Sequence, residues 1–181
     1  MRNPPRWSGG STAGGPGRDP RGSPPGQPQR PERSLDTVWP DYLRGGYFNA
    51  DGNLKSDFLI RSKVEPLASA MAESSPSLTS HQIRRFFQHC RAIEARLKAD
   101  PTRWGKEESE FRKLDVAAAD AFGKGARDQR EAKIPKLFHD FIQRNVETVK
   151  THTDFLKGFL PHFEALVGFG SKFLRDDRGR G

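Results

Sequence analysis

Apolar positions recur along most of this chain with the period of an amphipathic helix, most clearly from Leu78 to Leu97, LTSHQIRRFFQHCRAIEARL. Ile83, Phe86, Phe87, Cys90, Ile93 and Leu97 fall at the i, i+3, i+4, i+7 spacing of one stripe. Thr79 stands where a helix cap is needed, and Gln82 three residues later completes a capping box; Leu78 and Ile83 flank it as a hydrophobic staple. The face opposite the stripe carries Arg84, Gln88 and Arg91, with Arg85 and Arg96 at its flank. This helix should end at Asp100-Pro101, because the residue before a proline is driven out of helical space.

The same periodicity predicts four more helices. The first is capped by Ser56 or Asp57 and uses Leu59, Ile60, Val64, Leu67, Ala68 and Met71; Pro66 inside it predicts a kink or a restart. After a connector over residues 102–105, a helix is expected from about Lys106 to Phe122, with Phe111, Leu114, Ala118, Ala121 and Phe122 on one face. Its run Ala117-Ala118-Ala119 leaves room for a neighbouring helix, and Gly123 and Gly125 should stop it. A further stripe, Ile134, Leu137, Phe138, Phe141, Ile142, Val146 and Val149, starts beside Pro135, which suits a first turn. The last, capped by Thr151 or Thr153, carries Phe155, Leu156, Phe159, Leu160, Phe163, Leu166 and Val167, and Pro161 should kink it. No strand alternation and no repeat appears, so the fold class expected is all-α: a compact bundle of about five helices.

The flanks read differently. Eight of the chain's 14 prolines lie in residues 1–35, with seven glycines and almost no large apolar side chain. Such a segment cannot offset its own ordering entropy, so a disordered Pro/Gly/Arg-rich tail is expected there. Residues 36–55 form an aromatic linker in which Trp39, Tyr42, Tyr47 and Phe48 either drape over the bundle or meet a neighbouring subunit. The bundle then occupies 56–175, and 176–181 is a frayed polar end.

Composition narrows the function. With 181 residues, 33% hydrophobic content and 13 Phe the chain can bury one core. A formal charge of +8 points to an acidic partner, nucleic acid first. One cysteine, Cys90, excludes an internal disulfide framework and fits a reducing compartment. No uncharged apolar run approaches the ~20 residues of a membrane span, and MRNPPRWSGGS has no signal-peptide core, so a cytoplasmic protein is expected, with no membrane partner.

No catalytic constellation emerges. Gly123-Lys124-Gly125 lacks the strand and spacing of a phosphate loop. His81, His89 and Cys90 share a helix but not a direction, so no metal site is expected and Cys90 reads as a small buried hydrophobe. His139, His152 and His162 are scattered singles expected in solvent, and Glu164 is placed to pair with a base inside the bundle. No carboxylate pair is arranged for acid–base work, and no cofactor is expected. The informative groups are basic: Arg84, Arg85, Gln88 and Arg91 on one helix, and Lys124, Arg127, Arg130 and Lys133 crowded into a glycine-loosened loop. Charge runs are commonly just solvated faces. These segments hold few acids, however: Glu94 in the helix, Asp128 and Glu131 in the loop. By phase Phe86 and Phe87 belong to the core, so contacts to RNA should be to phosphate and sugar, insensitive to sequence.

Leu78 to Phe86, LTSHQIRRF, resembles the "LTxxQIRKF" opening of the small helical subunit of type III-A CRISPR (Csm) effector complexes. Phe155 to Phe169 resembles that family's "F…FEAIVAY" helix, matched at Phe163-Glu164-Ala165-Leu166-Val167. Leu114 to Arg127 takes the place of its Leu/Ala-rich helix that ends in a basic residue, here Lys124 or Arg127. The resemblance covers about residues 55–174. The chain departs from the pattern in having alanines and Asp120 where the family usually has an aromatic, and Gly123-Lys124-Gly125 before the basic residue. The resemblance implies a non-catalytic subunit of an RNA-guided antiviral complex, with copies of itself stacked along the paired crRNA and target RNA. The large palm-domain subunit and the backbone subunits would be its partners, and cleavage would belong to them. The alternative is a helical protein–protein adaptor using the aromatic linker and the bundle surface.

Overall fold

The computed structural model describes residues 33–127 and 132–176, except for the side chains of 124–127. The expected disordered tail before Arg33, and the polar end after Asp176, lie outside those residues. Among the described residues there is no strand, only isolated bridges pairing Phe48 with Leu54 and Thr79 with Arg175.

The five expected helices are present, with one short turn before them. They are α1 (Leu35–Val38), α2 (Arg61–Glu73), α3 (Ser80–Ala99), α4 (Trp104–Arg127), α5 (Lys136–Thr148) and α6 (Leu160–Gly170). The capping box of α3 forms as the sequence predicts: Gln82 N–H donates to Thr79 Oγ1 at 3.3 Å, and Thr79 N–H to Gln82 Oε1 at 2.9 Å. Its stripe buries Ile83, Cys90, Ile93 and Leu97, while Phe86 and Phe87 are only partly covered. Burial pushes the Cys90 thiol far up, so it is an inert hydrophobe.

Several boundaries differ from the sequence reading. Residues Ser56–Phe58 form a 3₁₀ turn, and α2 starts only at Arg61, so Leu59 and Ile60 lie exposed rather than on the core stripe. Phe58 takes the anchoring role instead, buried against Trp39 and His162. Helix α2 runs through Pro66 without restarting. A 3₁₀ turn over Pro101–Arg103 shortens the connector, and α4 continues past Gly123 and Gly125 to Arg127. Lys124 and Arg127 therefore belong to a helix end, not a loop. The chain then returns with Pro135 at the cap of α5 rather than in its first turn.

Thr151 caps the last helical stretch: its hydroxyl accepts from Asp154 N–H at 3.1 Å, and the Asp154 carboxylate accepts from Thr151 N–H at 2.9 Å. The first part, Asp154–Phe159, is a π-helix, and Leu160 N–H bonds to Phe155 O. This widened turn sits just before Pro161, which has no N–H to donate and whose ring crowds the carbonyl one turn back. Gly158 lies within it because Tyr47 packs there: a Cβ would fall 2.6 Å from the Tyr47 ring.

Helix α2 packs on α6, α4 on α5, and α3 on both α4 and α6. The segment 35–58 drapes over this bundle as a strap, burying Trp39, Tyr42 and Tyr47. Those rings are thus taken from any exposed docking surface. The strap is tied down by a buried polar chain. His162, expected in solvent, is fully buried, 2.8 Å from both Phe58 O and Tyr42 Oη. A carbonyl only accepts, so Nδ1 carries the proton and Nε2 accepts from the Tyr42 hydroxyl. Asn145 donates to Tyr42 Oη (2.8 Å) and Phe141 O (2.7 Å) and accepts from the Tyr47 hydroxyl (2.7 Å), so every member is satisfied. Glu164, by contrast, is exposed on α6 and pairs with no base among the described residues.

Candidate nucleic-acid interface

Two helices and one incoming strand of chain build the basic region. Helices α3 and α4 lie against each other, joined by the tight 101–103 turn. At that end they are locked by charge. Glu107, in the first turn of α4 and 1% exposed, binds Arg96 of α3 at 2.8 Å and Arg103 at 3.7 Å. At the other end, Gln82 of the capping box also donates through Nε2 to Lys133 O at 2.6 Å. The Lys133 N–H in turn bonds to Ala121 O at 3.0 Å. One glutamine thereby fixes both the start of α3 and the return of the chain beside α4.

Between those ends the helices do not close. Residues 81, 85 and 89 of α3 share one side at i, i+4, i+8, and the small residues Ala117 and Ala121 of α4 face them across a half-open cleft of about 540 Å³. The alanine run does not seat a helix along its length as expected: only Ala118 is packed into the core, and Ala117 and Ala119 are exposed. Phe86, Leu114 and Ile134 give the cleft an apolar floor. His89 reaches across it, its Nε2 2.9 Å from Glu110 O.

The structure sorts the predicted basic residues. Arg84, Arg85, Gln88 and Arg91 are all exposed on α3, but they differ in company. Arg91 is paired with Glu94 at 2.7 Å and lies 6.0 Å over the Phe87 ring, and Glu94 also holds Lys98 at 2.7 Å. Among the described residues Arg84 and Arg85 have no ion-pair partner. Arg85 faces the cleft, where Lys133 joins it, whereas Arg84, Gln88 and Arg91 sit on the adjoining outer ridge. The backbones of Lys124 and Arg127 lie in the end of α4; their side chains, and all of Arg130, fall outside the described residues. The sequence reading missed His81, His89 and Lys113 as neighbours of this surface. The i, i+4, i+8 spacing of His81, Arg85 and His89 was the signal available for two of them.

Other titratable groups do not converge. His139 is half-buried, stacked on Phe122 at 5.2 Å and 3.2 Å from Asp140; His152 is exposed. The Arg144 guanidinium grips Asp36 with two bonds and holds its carboxyl below the usual range. Among the described residues no group of three or more His, Cys, Asp or Glu side chains is arranged to hold a metal ion. No helix among them is long and apolar enough to cross a membrane.

A family model described as Csm2 Type III-A matches residues 59–174, close to the span of the resemblance read from the sequence. No curated protein and no solved structure matches the chain.

Proposed function

We propose, from the premise that this chain belongs to the Csm2 Type III-A family and is a small subunit of a type III-A CRISPR complex, that it is a non-catalytic RNA-path subunit. In this reading it holds the backbone of the target RNA paired with crRNA, stacks with copies of itself beside the large and backbone subunits, and so supports antiviral defence in the cytoplasm. The observation that carries the reading is the sorting of cations. Arg84 and Arg85 stand exposed without an ion-pair partner among the described residues, Arg85 sharing the cleft with Lys133, while Arg91, Arg96, Arg103 and Lys113 are each held by a carboxylate. Unpaired guanidinium groups are free to take up phosphate, and such contacts carry no sequence information.

The test is Arg84→Glu with Arg85→Glu in the assembled complex, where stacked copies act as one multivalent groove. Target-RNA affinity is measured at two salt concentrations, with circular dichroism confirming the fold. Loss of affinity for all sequences alike is expected, with the salt slope reduced by about one unit per lost phosphate contact. A folded, assembled variant with unchanged affinity and slope refutes this surface as the RNA path.

A further inference from the structure

We propose that the cleft between α3 and α4 is a nucleotide pocket, which takes an unpaired ribonucleotide with its base inward and its phosphate at the rim. This deepens the RNA-path reading and rests on it for the identity of the physiological ligand. Three observations carry it. The first is size: about 540 Å³ lies inside the range of roughly 300–1,000 Å³ typical of small-ligand pockets.

The second is a division of character within the lining. A groove that only tracks phosphates needs cations and no apolar floor. Here the floor is Phe86, Leu114 and Ile134, with Ala117 on the facing wall, and the cations Arg85 and Lys133 stand with it beside the carboxylate of Asp120. Phe86 is partly uncovered and held edge-on against Phe138, with ring centroids 5.2 Å apart and planes at 84°. It is therefore a fixed aromatic surface beside a guanidinium that has no ion-pair partner among the described residues, the pairing that accepts a base and its phosphate together.

The third is hydrogen-bonding polarity. The nitrogen of His89 that meets Glu110 O must donate, since a carbonyl only accepts. In the neutral ring this leaves Nδ1 as an acceptor. It suits the donor of a ribose 2′-hydroxyl or of a base's exocyclic amine, groups by which RNA is recognised. Gln82 is already committed to Thr79 and Lys133, and Lys113 to Glu110, so they frame the pocket rather than read its contents.

The experiment uses the full chain, isotope-labelled for amide NMR, titrated with adenosine monophosphate and separately with inorganic phosphate. The nucleotide should shift amides around residues 81–89, 113–121 and 133–134, and phosphate should produce only the subset near Arg85 and Lys133. Ala117→Phe fills the cleft from an exposed helical site without changing charge. It should weaken nucleotide binding about tenfold or more, the scale of one lost stacked base, and leave the phosphate response intact. Ala117→Leu serves the same purpose with a smaller intrusion. Absence of nucleotide shifts up to about 10 mM, a limit beyond any specific affinity, overturns the pocket. So do shifts that survive both substitutions, or a phosphate response equal to the nucleotide's. A second arm measures single-stranded and duplex RNA on the assembled complex. If Ala117→Phe leaves single-strand affinity unchanged while Arg84→Glu with Arg85→Glu weakens it, the pocket is overturned and the backbone path stands. If the complex binds RNA independently of both surfaces but the nucleotide titration behaves as expected, the pocket stands and the RNA path falls.

Discussion

Between about pH 7 and 5, His162 should make this fold sensitive to acid. The ring is fully buried, donating from Nδ1 to Phe58 O and accepting at Nε2 from Tyr42, so both nitrogens are used in the neutral form. Desolvation pushes its pKa down to about 4 from the ordinary 6.5, opposed by the bond to the Phe58 carbonyl. A base whose folded pKa is depressed binds its proton first in the unfolded chain. Its contribution is therefore complete above the unfolded pKa and is lost as pH falls from about 6.5 toward 4. For one such group the loss between roughly pH 7 and pH 5 is about 2 kcal/mol, below the limiting slope of about 1.4 kcal/mol per pH unit because the upper part of the interval lies above the unfolded pKa.

Urea melts of wild type and of His162→Gln over that interval isolate the effect. Every other titrating group is common to both proteins, so the difference in pH dependence belongs to His162. Wild type should lose about 2 kcal/mol more than the variant. Equal losses would refute the buried neutral histidine. So would an NMR titration of the His162 ring with a midpoint near 6.5, which is independent of whether the variant folds.

Gly158→Ala should cost ~1–3 kcal/mol, the usual range for overpacking, because its Cβ would fall within 3 Å of three atoms of Tyr47; a thermal melt checks it, and an unchanged midpoint would mean the strap is not seated there. Phe163→Ala should cost ~3–5 kcal/mol as a fully buried aromatic, and Phe86→Ala distinctly less, since Phe86 is only partly covered; denaturant melts give the order. A chain starting at Arg33 should keep full stability, whereas one starting at Lys55 loses the buried Trp39, Tyr42 and Tyr47 and should melt well below it; equal melting of the two would contradict the strap.

What the sequence revealed was local. The capping box at Thr79 and Gln82 and the stripes of α3, α5 and α6 depend on residues three or four apart; the box forms and the α5 stripe is buried as read, while Phe86 and Phe87 of α3 and Leu156 and Val167 of the last stripe are only partly covered. What it concealed depends on distant partners. His162 looks isolated because Tyr42 and Phe58 lie over a hundred positions away. Gly123 and Gly125 look like a stop because each costs a helix about 1 kcal/mol relative to alanine. Packing overrides that cost here, since Phe122 stacks on His139 and Ala121 O receives the Lys133 N–H. The start of α2 was misread for a related reason. Leu59 and Ile60 continue an apolar run, but the buried anchor of the strap is Phe58, and the chain turns immediately after it.

The candidate site shows the same division, because net charge is not where a count along the chain puts it. Reading α3 alone, Glu94 is the one acid against four arginines and a lysine. In the fold α4 brings further acids: Glu107 takes Arg96 and Arg103, Glu108 takes Arg112, and Glu110 takes Lys113. These pairs, with Glu94 between Arg91 and Lys98, neutralise the half of the α3–α4 pair nearest the 101–103 turn. Arg84 and Arg85 lie beyond them, toward the capping box, where Gln82 draws Lys133 in. Arg85 and Lys133, with the carboxylate of Asp120 in the same lining, thus stand at the end of the pair where the cleft also opens. Cations with an apolar floor between them favour a ligand that is anionic on one side and planar on the other. A strand of RNA with one base turned inward meets both conditions, and a regular duplex backbone meets only the first.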